Sequence, residues 1–176
     1  MRIIAGSLGG RIFSSPGTHK THPMSDKVRG ALFNALGDIS GLTVIDAFAG
    51  SGALSFEAIS RGAARVVAID SDRLAQKTIG QNIAALDVGG SVKLIKASAG
   101  AWLNTNPDTR FDIILCDPPY DNIQPNLLAR LAERTKPGGL AVFSLPPKAA
   151  LSLTSNYKPL TAKTYGDAQL LFFERV

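Results

Sequence analysis

A single cysteine, Cys116, occurs in the sequence, which excludes an internal disulfide and any metal cluster built from cysteine ligands. Cys116 lies in an apolar run, a place that favours a small buried side chain. A cysteine nucleophile needs a histidine close by, and the two histidines, His19 and His22, lie far away along the chain in a polar segment. We therefore expect Cys116 to be a core residue, and we expect no metal site.

Long hydrophobic runs are also missing. No apolar stretch approaches the roughly 18 residues that a membrane-spanning helix needs. The first ten residues, MRIIAGSLGG, contain no apolar run long enough for a signal peptide. We therefore expect a cytoplasmic protein with no membrane partner. The length of 176 residues and a hydrophobic fraction of 45% favour a single domain with a substantial core.

Acidic residues are scarce near the N-terminus. Residues 1–34 contain Asp26 as their only acid, whereas the same stretch contains five lysine and arginine residues. These five are Arg2, Arg11, Lys20, Lys27 and Arg29. Such a basic leading segment favours an anionic partner, with nucleic acid as the first candidate. On charge alone, a solvated face that only maintains solubility is an equally open alternative.

The pattern of elements predicts an α/β fold. Ser25 and Gly37 bracket a first helix as its N-cap and its closing glycine. From Leu42 onward, strands alternate with helices, which is typical of parallel βαβ units. Near the N-terminus, RIIAG and GRIF are expected to form a short hairpin across SLGG, and KPGG is expected to be a turn before the fifth strand. Two last strand-like runs are separated only by Gly166 and Asp167, a hairpin signal. We predict an α/β fold with a mostly parallel, seven-stranded sheet, a C-terminal antiparallel hairpin strand and a small N-terminal extension.

A glycine loop follows the first predicted strand, in the stretch DAFAGSGALSFEA. Gly50 and Gly52 let the backbone turn tightly and approach a ligand. Asp46, four residues before Gly50, would repel a pyrophosphate but attract an ammonium or sulfonium group, and S-adenosylmethionine carries both. Asp70 ends the second strand, where a ribose needs an acceptor for its two hydroxyls. Alternatively Asp70 favours the dipole of the next helix, although Asp72 suits that role better.

The stretch DPPY, residues 117–120, directly follows the apolar strand FDIILC. Pro118 and Pro119 remove two backbone donors, so the motif presents acceptors: the Asp117 carboxylate and main-chain carbonyls. Acceptors suit an exocyclic base amine, and the Tyr120 ring offers a face for stacking a base. The alternative is a proline-rich turn with a structural tyrosine. Because ligands bind where neighbouring parallel strands end, we expect Asp46 and Asp117 to meet in one crevice.

The chain resembles the RsmD-type 16S ribosomal RNA guanine-N2 methyltransferases along essentially its whole length. The matching stretches are RIIAGSLGGRIF, SDKVRGALFNAL, DAFAGSGALSFEAISRGA, AIDSDR, DPPY and YGDAQLLFFE. The Asp-Pro-Pro-Tyr motif alone marks amino-methyltransferases acting on adenine, cytosine or guanine, and the N-terminal arginine-glycine segment narrows the resemblance. The resemblance implies that residues 1–24 form a basic extension or hairpin that contacts RNA. It also implies that residues 25–176 form a Rossmann-like methyltransferase domain using S-adenosylmethionine.

The resemblance also implies roles for particular residues. The methionine and adenosyl portions of the cofactor would contact Asp46, Phe48, Gly50, Ser51 and Gly52, and the ribose would contact Asp70. The target guanine would be held by Asp117, Pro118, Pro119 and Tyr120. Two positions depart from the family pattern: Gly30 stands where a glutamate is usual, and Ser98 stands where an Asp or Asn often reaches the adenine amine.

The expected reaction is direct methyl transfer to a guanine amine of 16S ribosomal RNA or of a small-subunit assembly intermediate. Orientation and charge placement would supply most of the acceleration. A DNA adenine-N6 methyltransferase shares the same motif, although 176 residues leave little room for a DNA-recognition region. A non-catalytic RNA-binding module is a second rival interpretation. A dinucleotide oxidoreductase is a third, and Asp46 disfavours it.

Overall fold

The computed structural model describes residues 1–17 and 24–176. The helices in this part of the chain are α1 (Asp26–Leu36), α2 (Ala53–Ser60), α3 (Arg73–Leu86), α4 (Ala99–Thr105) and α5 (Pro125–Ala132). The strands are β1 (Thr43–Asp46), β2 (Arg65–Asp70), β3 (Val92–Lys96), β4 (Phe111–Cys116), β5 (Thr135–Leu145), β6 (Tyr157–Tyr165) and β7 (Ala168–Arg175). The predictions for His19, Lys20 and His22 lie outside the described residues.

The strands form one seven-stranded sheet in the order β3-β2-β1-β4-β5-β7-β6. Neighbouring strands from β3 to β5 pair in parallel, and β7 pairs antiparallel with both β5 and β6. Tyr165 pairs with Ala168 across Gly166 and Asp167, so the predicted two-residue hairpin is confirmed. The predicted fold class is therefore confirmed, including the adjacency of the first and fourth strands.

Helix α1 begins and ends where its capping residues predict. The Ser25 side chain accepts a hydrogen bond from the Val28 backbone N–H, which satisfies one of the free donors of the first turn. Gly37 ends the helix with φ 74°, a conformation that costs glycine little because it has no Cβ. The helix buries Val28, Leu32 and Phe33 in the hydrophobic core.

Two hydrophobic clusters cover the two faces of the sheet. Successive residues of β1 show the division, since Val44 belongs to one cluster and Ile45 to the other. Helices α1, α2 and α3 contribute to the first cluster, and α4 and α5 contribute to the second. Cys116 is buried in the second cluster, which confirms its predicted place in the core.

The N-terminal segment packs against the same core. An antiparallel bridge joins Arg2 and Ile12, as the predicted short hairpin requires. Ile3 and Phe13 are buried in the first cluster, and the Phe13 ring meets the Phe56 ring edge-on at a centroid distance of 5.2 Å. The extension therefore shares a hydrophobic core with the sheet domain.

One predicted turn lies inside a strand. The stretch KPGG was expected to precede the fifth strand, but β5 includes it as an irregularity in the pairing with β4. Phe111 pairs with Thr135 and Ile113 pairs with Leu140, so the extra residues of β5 bulge between the two pairs. Gly139 permits this close approach, because a Cβ there would lie 2.5 Å from the Asp112 carbonyl oxygen.

Candidate active site

The carboxyl ends of β1 and β4 form the predicted crevice. Asp46 ends β1 and pairs in register with Leu115 of β4, and the Ala47 N–H donates to the Leu115 carbonyl at 3.0 Å. Asp117 follows two residues after Leu115, at the same edge of the sheet. The two carboxyls are close enough that repulsion from Asp117 contributes to raising the pKa of Asp46.

Asp46 is fully buried and only half of its carboxylate has a partner. Oδ2 accepts hydrogen bonds from the Ser55 N–H at 3.1 Å and from the Ser55 hydroxyl at 2.7 Å. Oδ1 is buried and has no hydrogen-bond partner among the described residues. Burial raises the pKa of Asp46 to about 7, with the Ser55 hydrogen bonds opposing the rise. An unpaired buried carboxylate oxygen is costly unless a cationic or donor ligand completes it.

The glycine loop joins β1 to α2 in a conformation that glycine favours. Gly50 has φ 55° and Gly52 has φ 81°. A Cβ on Gly52 would lie 2.6 Å from the Phe56 ring, so no larger residue fits. Gly52 is the N-cap of α2 and supplies no side-chain cap. The Ser55 N–H of the first turn donates to Asp46, and the turn's earlier N–H groups can face a ligand. Ser51 is buried in the loop, and Phe48 packs on the second cluster.

Asp70 ties the end of β2 to the glycine loop. Its Oδ2 accepts from the Gly50 N–H at 2.7 Å, and its Oδ1 accepts from the Asp72 N–H at 2.8 Å. Asp72 caps α3 by accepting from the Leu74 and Ala75 N–H groups, which is the helix-start role that suits it better than Asp70. Each Asp70 oxygen retains a second lone pair, so the carboxylate can also accept from a ligand hydroxyl.

Ser98 lies after β3 and caps a helix. Its hydroxyl accepts from the Ala101 N–H at 3.2 Å, at the start of α4. The side chain is exposed on the edge of the sheet that carries Asp46 and Asp70. Its expected contact with an adenine amine stays a prediction.

The DPPY segment leaves β4 with Asp117 half-buried, Pro118 buried and Tyr120 partly exposed. Burial raises the pKa of Asp117 to about 6, and the neighbouring Ser144 hydroxyl opposes this rise. The Tyr120 hydroxyl lies 3.1 Å from the Ser144 Oγ, and 38% of the residue is exposed, so a ring face is accessible. The exposed Pro119 uses its carbonyl to accept from the Asn122 N–H at 3.0 Å.

Ser144 is a site residue that the sequence did not indicate. It lies next to the last residue of β5 and is 2% exposed. The register between β5 and β4 brings this strand end beside the DPPY segment. A single serine in the apolar run AVFSL carries no motif, so only the predicted position of β5 beside β4 could have indicated it.

The predicted RNA-contacting side chains differ in exposure. The Arg2 side chain is 63% exposed and lies 3.4 Å from an Asp26 oxygen, and Lys27 is exposed. Arg11 donates to the Ala85 and Leu86 carbonyls at 2.9 and 3.0 Å, at the C-terminal end of α3. Arg2 and Lys27 are therefore the most available cations among the described residues of the extension and α1.

The structure corrects the prediction for Arg29, because its side chain is fully buried and cannot reach a phosphate. Its guanidinium donates to the Arg2 carbonyl at 2.6 Å and to an Asp26 oxygen at 2.9 Å, and its Nε lies 3.7 Å from a Glu57 oxygen. A buried arginine with these partners stabilises the junction between the extension and the helices. Exposed and buried arginines are indistinguishable from charge counting alone.

Within residues 1–17 and 24–176, no group of three or more His, Cys, Asp or Glu side chains could hold a metal ion. No helix in the same part of the chain is long and apolar enough to cross a membrane.

Comparisons with known proteins give consistent matches. The family described as conserved hypothetical protein 95 matches residues 1–174. Ribosomal RNA small subunit methyltransferase D of Escherichia coli strain K12 is 36% identical over 121 residues, covering 68% of this chain and 60% of that protein. The protein of the same name in Haemophilus influenzae is 30% identical over 172 residues, covering 94% of this chain and 89% of that protein. The match to the first of these relatives thus spans less than two thirds of its length.

Solved structures match over most of the chain. The structure of yhhF from Escherichia coli, a protein assigned to the methyltransferases, has a TM-score of 0.88 and 27% identity, covering 99% of this chain and 97% of that chain. A protein named SMU.776, solved in complex with SAH, has a TM-score of 0.70 and 16% identity, covering 84% of this chain and 48% of that chain. At that identity the second match shows the fold alone.

Proposed function

The chain belongs to the family of conserved hypothetical protein 95, the RsmD-type methyltransferases, and from this premise we propose that it methylates a guanine of 16S ribosomal RNA. The methyl group comes from S-adenosylmethionine, and the acceptor is the exocyclic N2 amine. The relatives named ribosomal RNA small subunit methyltransferase D support ribosomal RNA as the substrate. The guanine-N2 position is our inference from the family resemblance.

One observation carries the proposal. Asp46 and Asp117 lie at the ends of adjacent parallel strands, and a buried oxygen of Asp46 has no partner among the described residues. A cationic ligand would complete Asp46, and a base amine would complete the acceptors around Asp117. The same crevice can therefore hold a methyl donor and its acceptor side by side.

The residues around Asp46 fit S-adenosylmethionine, which supplies an electrophilic methyl group when bound. We assign its ammonium group to Asp46, because a carboxylate attracts a cation strongly in a buried site. The loop from Gly50 to Gly52 lets the backbone approach the cofactor without a Cβ in the way. We assign the ribose hydroxyls to Asp70, whose oxygens retain acceptor capacity beside the Gly50 N–H.

The DPPY segment would orient the guanine. The base must leave its stack, because its amine is unreachable inside a folded RNA, and its ring stacks on the exposed face of Tyr120. The Asp117 carboxylate accepts one amine hydrogen. Because the Pro119 carbonyl already accepts from Asn122, we assign the second acceptor role to the Pro118 carbonyl. This arrangement directs the nitrogen lone pair at the methyl group, and the proton lost by the amine passes to Asp117 or to solvent.

The extension would contact RNA phosphates. Arg2, Arg11 and Lys27 are exposed, and we assign these three side chains to phosphate contacts. The same role is proposed for Lys20 on its charge alone. Phosphate contacts make binding depend steeply on salt, because each neutralised phosphate releases counterions. The partner is 16S ribosomal RNA or a small-subunit assembly intermediate, which locates the proposed reaction in the cytoplasm.

The proposal is tested by assaying methyl transfer from labelled S-adenosylmethionine to three substrates: naked 16S ribosomal RNA, small ribosomal subunits and duplex DNA. Nucleoside digestion and mass spectrometry then identify the product. We expect N2-methylguanosine from an RNA substrate. Label in N6-methyladenine of DNA would instead favour the adenine-specific alternative. A protein that binds RNA but not S-adenosylhomocysteine would be a non-catalytic module.

A further inference from the structure

The end of β5 contributes a buried hydroxyl to the base-binding side of the crevice. Ser144 is 2% exposed, and its Oγ lies 3.1 Å from the phenolic oxygen of Tyr120. Tyr120 itself is 38% exposed, so this contact is the anchor of a ring that otherwise faces solvent. A flexible ring would lose rotamer freedom on stacking a base, and an anchored ring has already lost it.

The donor and acceptor groups of Tyr120, Ser144 and Asp117 determine which side chain donates in each hydrogen bond. An ionised Asp117 can only accept hydrogen bonds, whereas a serine hydroxyl can donate one and accept another. Cys116 pairs with Phe143, so Asp117 and Ser144 lie side by side one residue further along, and the Ser144 hydroxyl opposes the rise of the Asp117 pKa. If Ser144 donates to Asp117, its lone pairs are left to accept the Tyr120 O–H. A chain from Tyr120 through Ser144 to Asp117 would then satisfy all three side chains.

We propose that Ser144 is a positioning residue that holds the stacking ring of Tyr120 and the carboxylate of Asp117 in one fixed arrangement. This inference rests on the proposed function, because it concerns the same base-binding site. Ser144 does not touch the reacting atoms; it acts through the two residues that do. Such positioning affects the rate strongly, since a misplacement of the reacting groups by about 1 Å can reduce a rate by about 10²-fold.

Other charged groups surround this arrangement and define what a titration would report. Asp46 faces Asp117 from β1, and Cys116 precedes Asp117 in β4, with burial raising the pKa of its thiol well above the usual range. Asp167, in the turn between β6 and β7, contributes to raising the pKa of Tyr120. Tyr120 therefore stays protonated near neutral pH, whereas Asp46 and Asp117, with pKa values raised to about 7 and about 6, both ionise there, and only a signal assigned to Asp117 separates the two.

The test compares Ser144→Ala, Tyr120→Phe and the double variant in single-turnover methyl transfer to 16S ribosomal RNA. We expect Ser144→Ala to lower the rate about tenfold, the effect of losing one oriented hydrogen bond, with S-adenosylhomocysteine affinity unchanged. Because both single changes break the same bond, the double variant should be no slower than Ser144→Ala. Multiplied rate losses in the double variant would contradict the shared bond.

The pH dependence provides a readout that a merely structural role would not change. Removing the Ser144 hydroxyl raises the pKa of Asp117, so the acidic limb of the rate profile should move to higher pH in Ser144→Ala. The Asp117 carboxyl can also be followed by ¹³C NMR in the free protein, with Asp117→Asn identifying its signal. An unchanged Asp117 titration in Ser144→Ala would overturn the proposal, whatever the protein methylates.

A matched control lies at the other end of the same strand. Thr135 is fully buried, and its hydroxyl donates to the Ala132 carbonyl at 2.7 Å. Thr135→Val should lower stability but leave the rate and its pH profile unchanged; an equal rate loss in both variants would assign Ser144 a general packing role. Should Ser144→Ala fail to fold, Tyr120→Phe breaks the same bond from the exposed side, and an unchanged rate there overturns the proposal. A wild-type chain that methylates no RNA would refute the proposed function, while the NMR titration would still decide the role of Ser144.

Discussion

The buried side chain of Asp46 lowers the stability of the ligand-free protein. Burial raises its pKa to about 7 from a usual value of 3.8. The unfolded chain ionises this side chain freely, so folding stability should decline as the pH rises from about 4 towards about 7. A bound cation would stabilise this buried carboxylate, because one of its oxygens has no hydrogen-bond partner among the described residues.

We predict that cofactor affinity depends on pH through Asp46. Below about pH 7 the carboxyl is protonated in the free protein, and binding an ammonium group must release that proton. The Kd for S-adenosylmethionine should therefore rise as the pH falls below about 7 and level off above it. Calorimetry in two buffers of different ionisation enthalpy measures the released proton directly. Asp46→Asn should bind more weakly at every pH and release no proton, and a pH-independent Kd in the wild-type chain would contradict this assignment.

The sequence predicted the location of those residues that stand at the end of a strand. Asp46, Asp70 and Asp117 each stand at the end of an apolar run, and strand ends in a parallel sheet share one edge. Ser144 could not be predicted, because a hydroxyl in an apolar run gains its role only from the DPPY segment packed beside it. Arg29 was misassigned because its burial depends on partners distant in sequence, above all Glu57.

Capping and turn residues predicted most of the helix and strand boundaries that could be read from the sequence. Ser25 and Asp72 mark the starts of α1 and α3, because their side chains accept hydrogen bonds from free N–H groups of the first turn. Gly37 marks the end of α1, because glycine adopts a positive φ without strain. The turn predicted at KPGG failed for the opposite reason. Proline and glycine are tolerated within a bulged strand, and local sequence does not separate a bulge from a turn.

We predict that Gly80→Ala stabilises the protein. Gly80 lies inside α3, its φ is not positive, and a Cβ there would meet nothing within 4 Å. Alanine should therefore raise the free energy of unfolding by about 0.5–1 kcal/mol, measured by urea denaturation. Gly52→Ala is the contrasting variant, since φ 81° and the Phe56 ring at 2.6 Å make it destabilising and harmful to cofactor binding. A loss of stability in Gly80→Ala would refute the helix-propensity argument.

Helix α2 connects the glycine loop to the N-terminal extension, because it begins at that loop and its later residues hold the extension. Glu57 is fully buried and accepts from the Ile4 N–H at 2.8 Å, from the Ala5 N–H at 3.2 Å and from Arg61 at 2.8 Å. Ser60 adds a further contact by accepting from the Leu8 N–H at 2.9 Å. The extension is thereby fixed to the helix whose N-cap is the last glycine of the cofactor loop.

We predict that Glu57→Ala is strongly destabilising. Its removal leaves two backbone donors and the buried Arg29 without their carboxylate, and breaking a buried ion pair costs about 3–5 kcal/mol. Chemical denaturation should show this loss. A matched control is Asp38→Ala, which removes an exposed acid whose bond to the Ser40 N–H lies in a surface turn. If the two variants lost equal stability, Glu57 would not be the residue that clamps the extension to α2.

Across the whole molecule, the acids of the crevice and the exposed cations of the extension and α1 lie in different places. The acids Asp46, Asp70 and Asp117 share the crevice, whereas the exposed cations Arg2 and Lys27 lie on the extension and the first turn of α1. A cationic cofactor and an anionic RNA would thus be drawn to different parts of one surface.

We predict that Arg2→Glu combined with Lys27→Glu weakens RNA binding without changing cofactor affinity. If each side chain contacts one phosphate, the slope of log K against log salt should fall by about 1.5. Filter binding over a salt series measures the slope, and calorimetry with S-adenosylhomocysteine provides the control. Equal losses in both affinities would indicate misfolding, and an unchanged salt slope would remove these residues from the RNA surface.

Asp46 is proposed to hold the methyl donor while Asp117 orients the base beside it. The most direct measurement determines both the S-adenosylhomocysteine Kd and the single-turnover methylation rate for Asp46→Asn and Asp117→Ala. We predict that Asp46→Asn raises the Kd and that Asp117→Ala leaves the Kd unchanged while abolishing methyl transfer. Full turnover by Asp117→Ala, or unimpaired cofactor binding by Asp46→Asn, would contradict the account.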